Sequence, residues 1–99
     1  MEVHPEVSFW AMANYTPMAY PKKTSAGFAE RRGHLQAALR IAIPDRKEAG
    51  RFAPPANADD VLDAIAAAWT AQRFAEGKAG RLPGEPLLDK HGLRMEIVY

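Results

Sequence analysis

The sequence predicts a mainly α-helical fold with short β segments at its termini. Three observations carry this. A long Ala-, Leu- and Ile-rich stretch at 58–71 has helical periodicity, a second amphipathic stretch starts at Ser25, and at 93–99 apolar residues alternate with Arg94 and Glu96 before Val98. At 99 residues the chain is at most one domain, and a chain this short buries only a limited part of its surface. With 47% hydrophobic and 25% charged residues, its composition is that of a globular protein. A net charge of +1 gives no global case for nucleic-acid or membrane binding. There is no cysteine, which excludes disulfides, thiol catalysis and cysteine-ligated zinc or iron–sulfur sites.

Taken in order, Glu2-Val3 reads as the tail of a strand. Pro5 suits the first turn of a short helix and Glu6 supports it there; this helix runs to about Ala13 and buries Phe9, Trp10 and Met12. Residues 14–21 read as a loop. A second helix is predicted over roughly residues 25–42, with Thr24 or Ser25 as its N-cap and Phe28, Leu35, Ala38, Leu39 and Ala42 as its apolar stripe. Gly27 and Gly33 weaken it, and Pro44 ends it. The proline-rich residues 44–57 read as a surface connection anchored by Ile43 and Phe52.

The central helix follows, capped by Asn57 or Asp59 and running to about Glu76. Val61, Leu62, Ile65, Ala68, Trp69 and Gln72 form its broad face at about 100° per residue. Residues 77–92, rich in Gly and Pro, read as a second loop, and 93–99 as a strand. That strand needs a neighbour for its backbone groups: either Met1–His4 or another chain. The predicted core is Phe9, Trp10, Phe28, Leu35, Leu39, Leu62, Ile65 and Trp69.

Asp60 and Asp63 lie off the packing face and side by side, because i and i+3 are neighbours on a helix. Acidic residues decorate many helix N-termini; the alternative is a pair of hard oxygen ligands for Mg²⁺ or Mn²⁺. Lys22 and Lys23 stand at the positive end of the second helix. They are either two solvated lysines or, with Arg31, part of a phosphate site. His4, His34 and His91 are scattered without a metal-ligand spacing. The N-terminus lacks the apolar h-region of a signal peptide, and no apolar run approaches the length of a membrane span, so the expected location is cytoplasmic.

Glu2-Val3-His4-Pro5-Glu6-Val7-Ser8-Phe9, then Lys22-Lys23-Thr24 with Gly27, Glu30 and Arg31, then Asp59-Asp60-Val61-Leu62-Asp63-Ala64 form an ordered series. The series resembles the C-terminal half of the domain-of-unknown-function 429 family, and the closing Gly92–Tyr99 is similar to the end of such proteins. The resemblance implies a remnant of an α/β ribonuclease H-like domain and a predicted metal-dependent nuclease. Glu2, Asp60 and Asp63 would be the catalytic metal ligands for Mg²⁺ or Mn²⁺, acting on a nucleic-acid phosphodiester. Lys22, Lys23 and Arg31 would hold phosphates. The family's N-terminal half, with its first-strand Asp and most of its sheet, is not among these residues. Residues 1–99 are therefore expected to be a single partial domain. Helix faces that would have met a sheet should find a partner, which predicts a homo-oligomer with the C-terminal strands paired between chains. The alternative function is a non-catalytic oligomerising or interaction module.

Overall fold

The computed structural model describes residues 2–52, 57–88 and 94–99. The elements are β1 (Glu2–Val3), α1 (Pro5–Met12), α2 (Ser25–Leu39), α3 (Arg46–Phe52), α4 (Ala58–Ala75), β2 (Arg81–Leu88) and β3 (Arg94–Val98). The fold is mainly helical with short terminal strands, as the sequence predicts. No helix among the described residues is long and apolar enough to cross a membrane.

The three strands form one sheet in the order β1-β3-β2. β1 runs parallel to β3, with Glu2 opposite Ile97 and Val3 opposite Val98. The C-terminal strand thus finds the N-terminal partner that its backbone groups require. β2, within the stretch predicted as a loop, is a correction. Its Pro83, Gly84 and Pro86 read as turn signals, but β2 is an edge strand, where a residue without an N–H is tolerated. The antiparallel register with β3 breaks between Leu82 and Leu87, the segment that carries those residues.

α1 starts with Pro5 at its first turn, as expected. Beyond it, Asn14 (φ 56°) and Tyr15 (φ 63°) take left-handed conformations in succession, which turns the chain into the 16–24 loop. α2 is capped by Thr24, whose hydroxyl accepts the Gly27 N–H at 2.9 Å. It ends at Leu39, three residues before the predicted end. Arg40 takes a left-handed C-cap conformation (φ 55°), and its N–H closes the helix on the Gln36 carbonyl at 2.9 Å. This early turn leaves Ile41 exposed and brings Ile43 into the core. Arg32 braces the turn, its Nε donating to the carbonyls of Ile43 (2.8 Å) and Pro44 (3.2 Å).

α3 lies inside the predicted surface connection and is the second correction. Asp45 and Glu48 start it reciprocally: the Glu48 N–H donates to Asp45 Oδ1 at 2.8 Å, and the Asp45 N–H to Glu48 Oε1 at 3.4 Å. It buries Ala49. Ile43 is anchored as predicted; the Phe52 side chain lies outside the described residues.

The core gathers Phe9, Phe28, Leu35, Ile43, Ala49, Leu62 and Ala66, with Met12, Met18, Leu39, Val61 and Ile65 packed against it. Full burial of a side chain such as Phe9 or Leu62 contributes roughly 1.5–3 kcal/mol. The buried stripe of α4 is Leu62, Ala66 and Thr70, spaced i, i+4 and i+8. Ala68 and Gln72, expected on that face, are exposed. The two predicted core tryptophans are half-buried. Trp10 meets Tyr15 and Tyr99 at ring-centroid distances of 4.9 and 5.3 Å, and Trp69 carries the Arg73 guanidinium 4.6 Å over its ring. Thr70 and Ser8, both buried, join α4 to α1 through a 2.6 Å hydroxyl–hydroxyl hydrogen bond.

Candidate metal and phosphate site

The site is built where the N-terminus of α4 meets the turn that precedes α2. Asp59, Asp60 and Asp63 lie on the first two turns of α4. Asp60 serves the helix end: the Asn57 N–H donates to its Oδ2 at 3.0 Å, satisfying a donor that the helix leaves open. Asp59 and Asp63 stand one helical turn apart and face the same side. One carboxylate oxygen from each of the three lies within 4.8 Å of the others.

Lys22 and Lys23 come to this edge from the 16–24 loop, which is tied down from behind. The Ala19 and Tyr20 N–H groups donate to the two oxygens of Glu30 at 2.8 and 3.0 Å. Arg31 Nη1 donates to the Tyr20 and Gly27 carbonyls, both at 3.0 Å. Gly27 is required here, since a Cβ would lie 1.8 Å from the Pro21 carbonyl oxygen. So held, Lys22 Nζ bonds Asp63 Oδ2 directly and lies 3.5 Å from Asp59 Oδ2. Lys23 Nζ lies 3.3 Å from the same Asp59 oxygen.

These contacts set the titration of the group. Burial pushes the Asp63 carboxyl above its ordinary value; the Lys22 hydrogen bond and charge oppose this without cancelling it. Burial works on Asp59 in the same sense. There the Lys23 hydrogen bond, a backbone N–H and the charges of both lysines outweigh it, and Asp59 titrates below the usual carboxylate value. The hydrogen bond to Asp63 raises Lys22, against partial desolvation. The burial penalty of the Lys22–Asp63 pair falls on the deeper carboxylate.

Three hard oxygen donors suit Mg²⁺ or Mn²⁺. Their 4.8 Å spread is wider than the roughly 4.2 Å between opposed oxygens on Mg²⁺, and the Lys22 ammonium bonds Asp63 among them. Asp63 Oδ1 is buried without a hydrogen-bond partner, an unmet demand that a cation would satisfy. The donor types are those a hard divalent ion takes.

Of the expected residues, Asp60, Asp63, Lys22 and Lys23 are brought together. Glu2 is not among them: it is exposed on β1 and pairs with His4 Nε2 at 3.1 Å. Asp59 is the third carboxylate, and its i, i+4 spacing to Asp63 was the signal for it. Arg31 is not at the surface. It is 3% exposed, and its Nε donates to Glu6 Oε2 at 2.9 Å while Nη2 bonds the other Glu6 oxygen. With its two carbonyl contacts it has used four of five donors, so it supports the lysine loop rather than reaching a phosphate. The basic residue that does stand beside the lysines is Arg46, at the start of α3. Its Nη1 donates to Ser25 Oγ at 2.6 Å and its Nη2 to the Lys23 carbonyl at 3.3 Å.

A family model described as Protein of unknown function (DUF429) matches residues 1–87. The chain belongs to this family. No curated protein and no solved structure matches it. The span matched by the DUF429 model runs from β1 into β2 and contains every residue of the candidate site.

Proposed function

We propose that this chain is a metal-dependent, nuclease-like protein acting on nucleic-acid phosphodiesters, built as the C-terminal part of a ribonuclease H-like domain. The observation that carries the reading is the convergence of Asp59, Asp60 and Asp63 within 4.8 Å, with Lys22 and Lys23 against them. Among the described residues β1 is parallel to β3 across a long connection that carries the helices and the antiparallel β2; a parallel pair needs a long crossover of this kind, which is compatible with the ancestry. A divalent ion at such a site supplies an activated water and stabilises the leaving oxygen. Asp59, Asp60 and Asp63 would hold that ion, and neutralising them would free Lys22 and Lys23 for phosphate oxygens. A cytoplasmic location goes with this reading.

The second reading is a homo-oligomerising interaction module. The favouring observation is that β1 and β2 are both edge strands, while Ile41, Phe74 and Leu82 are exposed.

The test is incubation of the purified chain with labelled single-stranded, duplex and branched nucleic acids in Mn²⁺, beside Asp63→Asn and with light scattering for mass. Cleavage by the wild type alone supports the first reading. A stable oligomer with no cleavage and no Mn²⁺ binding refutes it and supports the second.

A further inference from the structure

Beside the carboxylates lies a concavity of about 230 Å³. Lys22, Lys23, Arg46 and the first residues of α4 line it, with Phe28 on its apolar side. It is smaller than the roughly 300–1,000 Å³ of a drug-sized ligand pocket, so it takes a small ion or one group of a larger ligand. Three cationic side chains and the Asp59 carboxylate line it; Lys22 is also paired with Asp63, and the positive end of the α4 dipole adds to the cations. Arg46 is exposed, yet it is tied by two hydrogen bonds to the turn that carries the lysines. An exposed arginine held in this way loses less side-chain freedom when it meets an anion. Its planar fork suits two oxygens of one phosphate, while the lysines act as point charges.

We propose that this concavity seats a phosphate group of a nucleic-acid strand, with Arg46 as its planar ligand beside Lys22 and Lys23. Asp59 forms the wall between this seat and the carboxylate group, so it bonds lysine when the seat is empty. A phosphate competes with Asp59 for Lys23 and Lys22. It releases Asp59 and Asp63 from lysine, toward a cation on the other side of the wall, while Asp60 keeps the Asn57 N–H. Phosphate and divalent metal therefore bind better together than either does alone. The nucleic-acid identity of the ligand rests on the proposed function; phosphate binding in the seat does not.

The experiment is titration of the intact chain in EDTA with inorganic phosphate and with a short oligonucleotide, followed by NMR and calorimetry. It compares the wild type with Arg46→Met, Arg46→Lys and, as a control on an arginine outside the concavity, Arg73→Met. Circular dichroism melts establish that each variant is folded. The expected result is saturable phosphate binding, weakened roughly ten- to hundredfold by Arg46→Met. Arg46→Lys should restore part of the loss and Arg73→Met should change nothing. Binding should weaken with added salt, with a shallower slope in Arg46→Met. Equal phosphate affinity of folded Arg46→Met and wild type, or no saturable binding by the wild type, overturns the seat. Because the titration contains no metal, a chain that cuts nothing still reports on it. Cleavage in Mn²⁺ that is unaffected by Arg46→Met would retain the carboxylate site and overturn the seat alone.

Discussion

Replacing Glu6 by Gln tests whether Arg31 is a structural strut. The Arg31 side chain is 4% exposed and that of Glu6 49%, so the pair has one buried and one wet end. Glutamine keeps the shape and one acceptor oxygen, but it sets an NH₂ group against a guanidinium that can only donate. Breaking a fully buried pair costs about 3–5 kcal/mol. Water reaching the Glu6 side screens the interaction, and we halve the figure to about 2 kcal/mol. A chain of this length is stabilised by about 5–15 kcal/mol in all, so the loss is a large share. At about 4–8 °C per kcal/mol, Glu6→Gln lowers the melting temperature by roughly 8–16 °C. Melts followed by circular dichroism on wild type, Glu6→Gln, Arg31→Met and the double variant read it. The double variant should lose less than the sum of the single ones, because no uncompensated charge is left buried. A Glu6→Gln melt within about 2 °C of wild type, or strict additivity, refutes the reasoning.

Two glycines of α2 should respond with opposite sign. Gly27→Ala places a methyl 1.8 Å from a backbone oxygen and should lower the melting temperature sharply while disturbing the NMR shifts of Lys22 and Lys23. Gly33→Ala meets nothing within 4 Å and should stabilise by about 0.5–1 kcal/mol, read by urea denaturation. A third prediction concerns pH. Since the folded pKa of Asp59 is depressed, the folded state binds fewer protons there than the unfolded one. Its contribution is present above the unfolded value near 3.8 and is lost as pH falls through the lower folded value. Asp59→Asn should therefore lower the melting temperature at neutral pH, and the gap to wild type should close in strong acid. A gap that stays constant across that range would contradict the Lys23–Asp59 pairing.

The helices announced by end chemistry were legible in the sequence. Pro5 starts α1, Thr24 caps α2, and Asn57 with Asp60 opens α4. α3 had the same kind of signal in Asp45 and Glu48, which the neighbouring prolines outweighed. β2 was obscured because proline and glycine argue against a strand unless its place at a sheet edge is known, and edge position is a tertiary fact. In the site, the acidic and basic segments were each visible locally, as separate metal and phosphate features. Their contact joins Lys22 to Asp63 across 41 residues, which no periodicity encodes. The misplacement of Arg31 has the same origin. A helical arginine near two lysines reads as a phosphate contact until the carboxylate that draws it inward is known, and here that carboxylate is 25 residues away on α1. Asp59 was passed over as a capping residue, a role that went to Asn57 and Asp60.

The parallel pairing of Glu2-Val3 with Ile97-Val98 has a consequence for biosynthesis. β1 leaves the ribosome long before its partner. At about 5–20 residues per second, it waits roughly 5–20 s for β3 to be translated. During that interval α1, α2 and α4 can assemble around Phe9 and Leu62, but the edge that β3 will occupy is open to any extended segment nearby. Closing a loop of this length costs on the order of 4 kcal/mol in chain entropy, more than a two-residue strand repays by itself. The β1–β3 pairing should therefore form after β2 has met β3 locally, and it depends on helices that have already brought the two ends together.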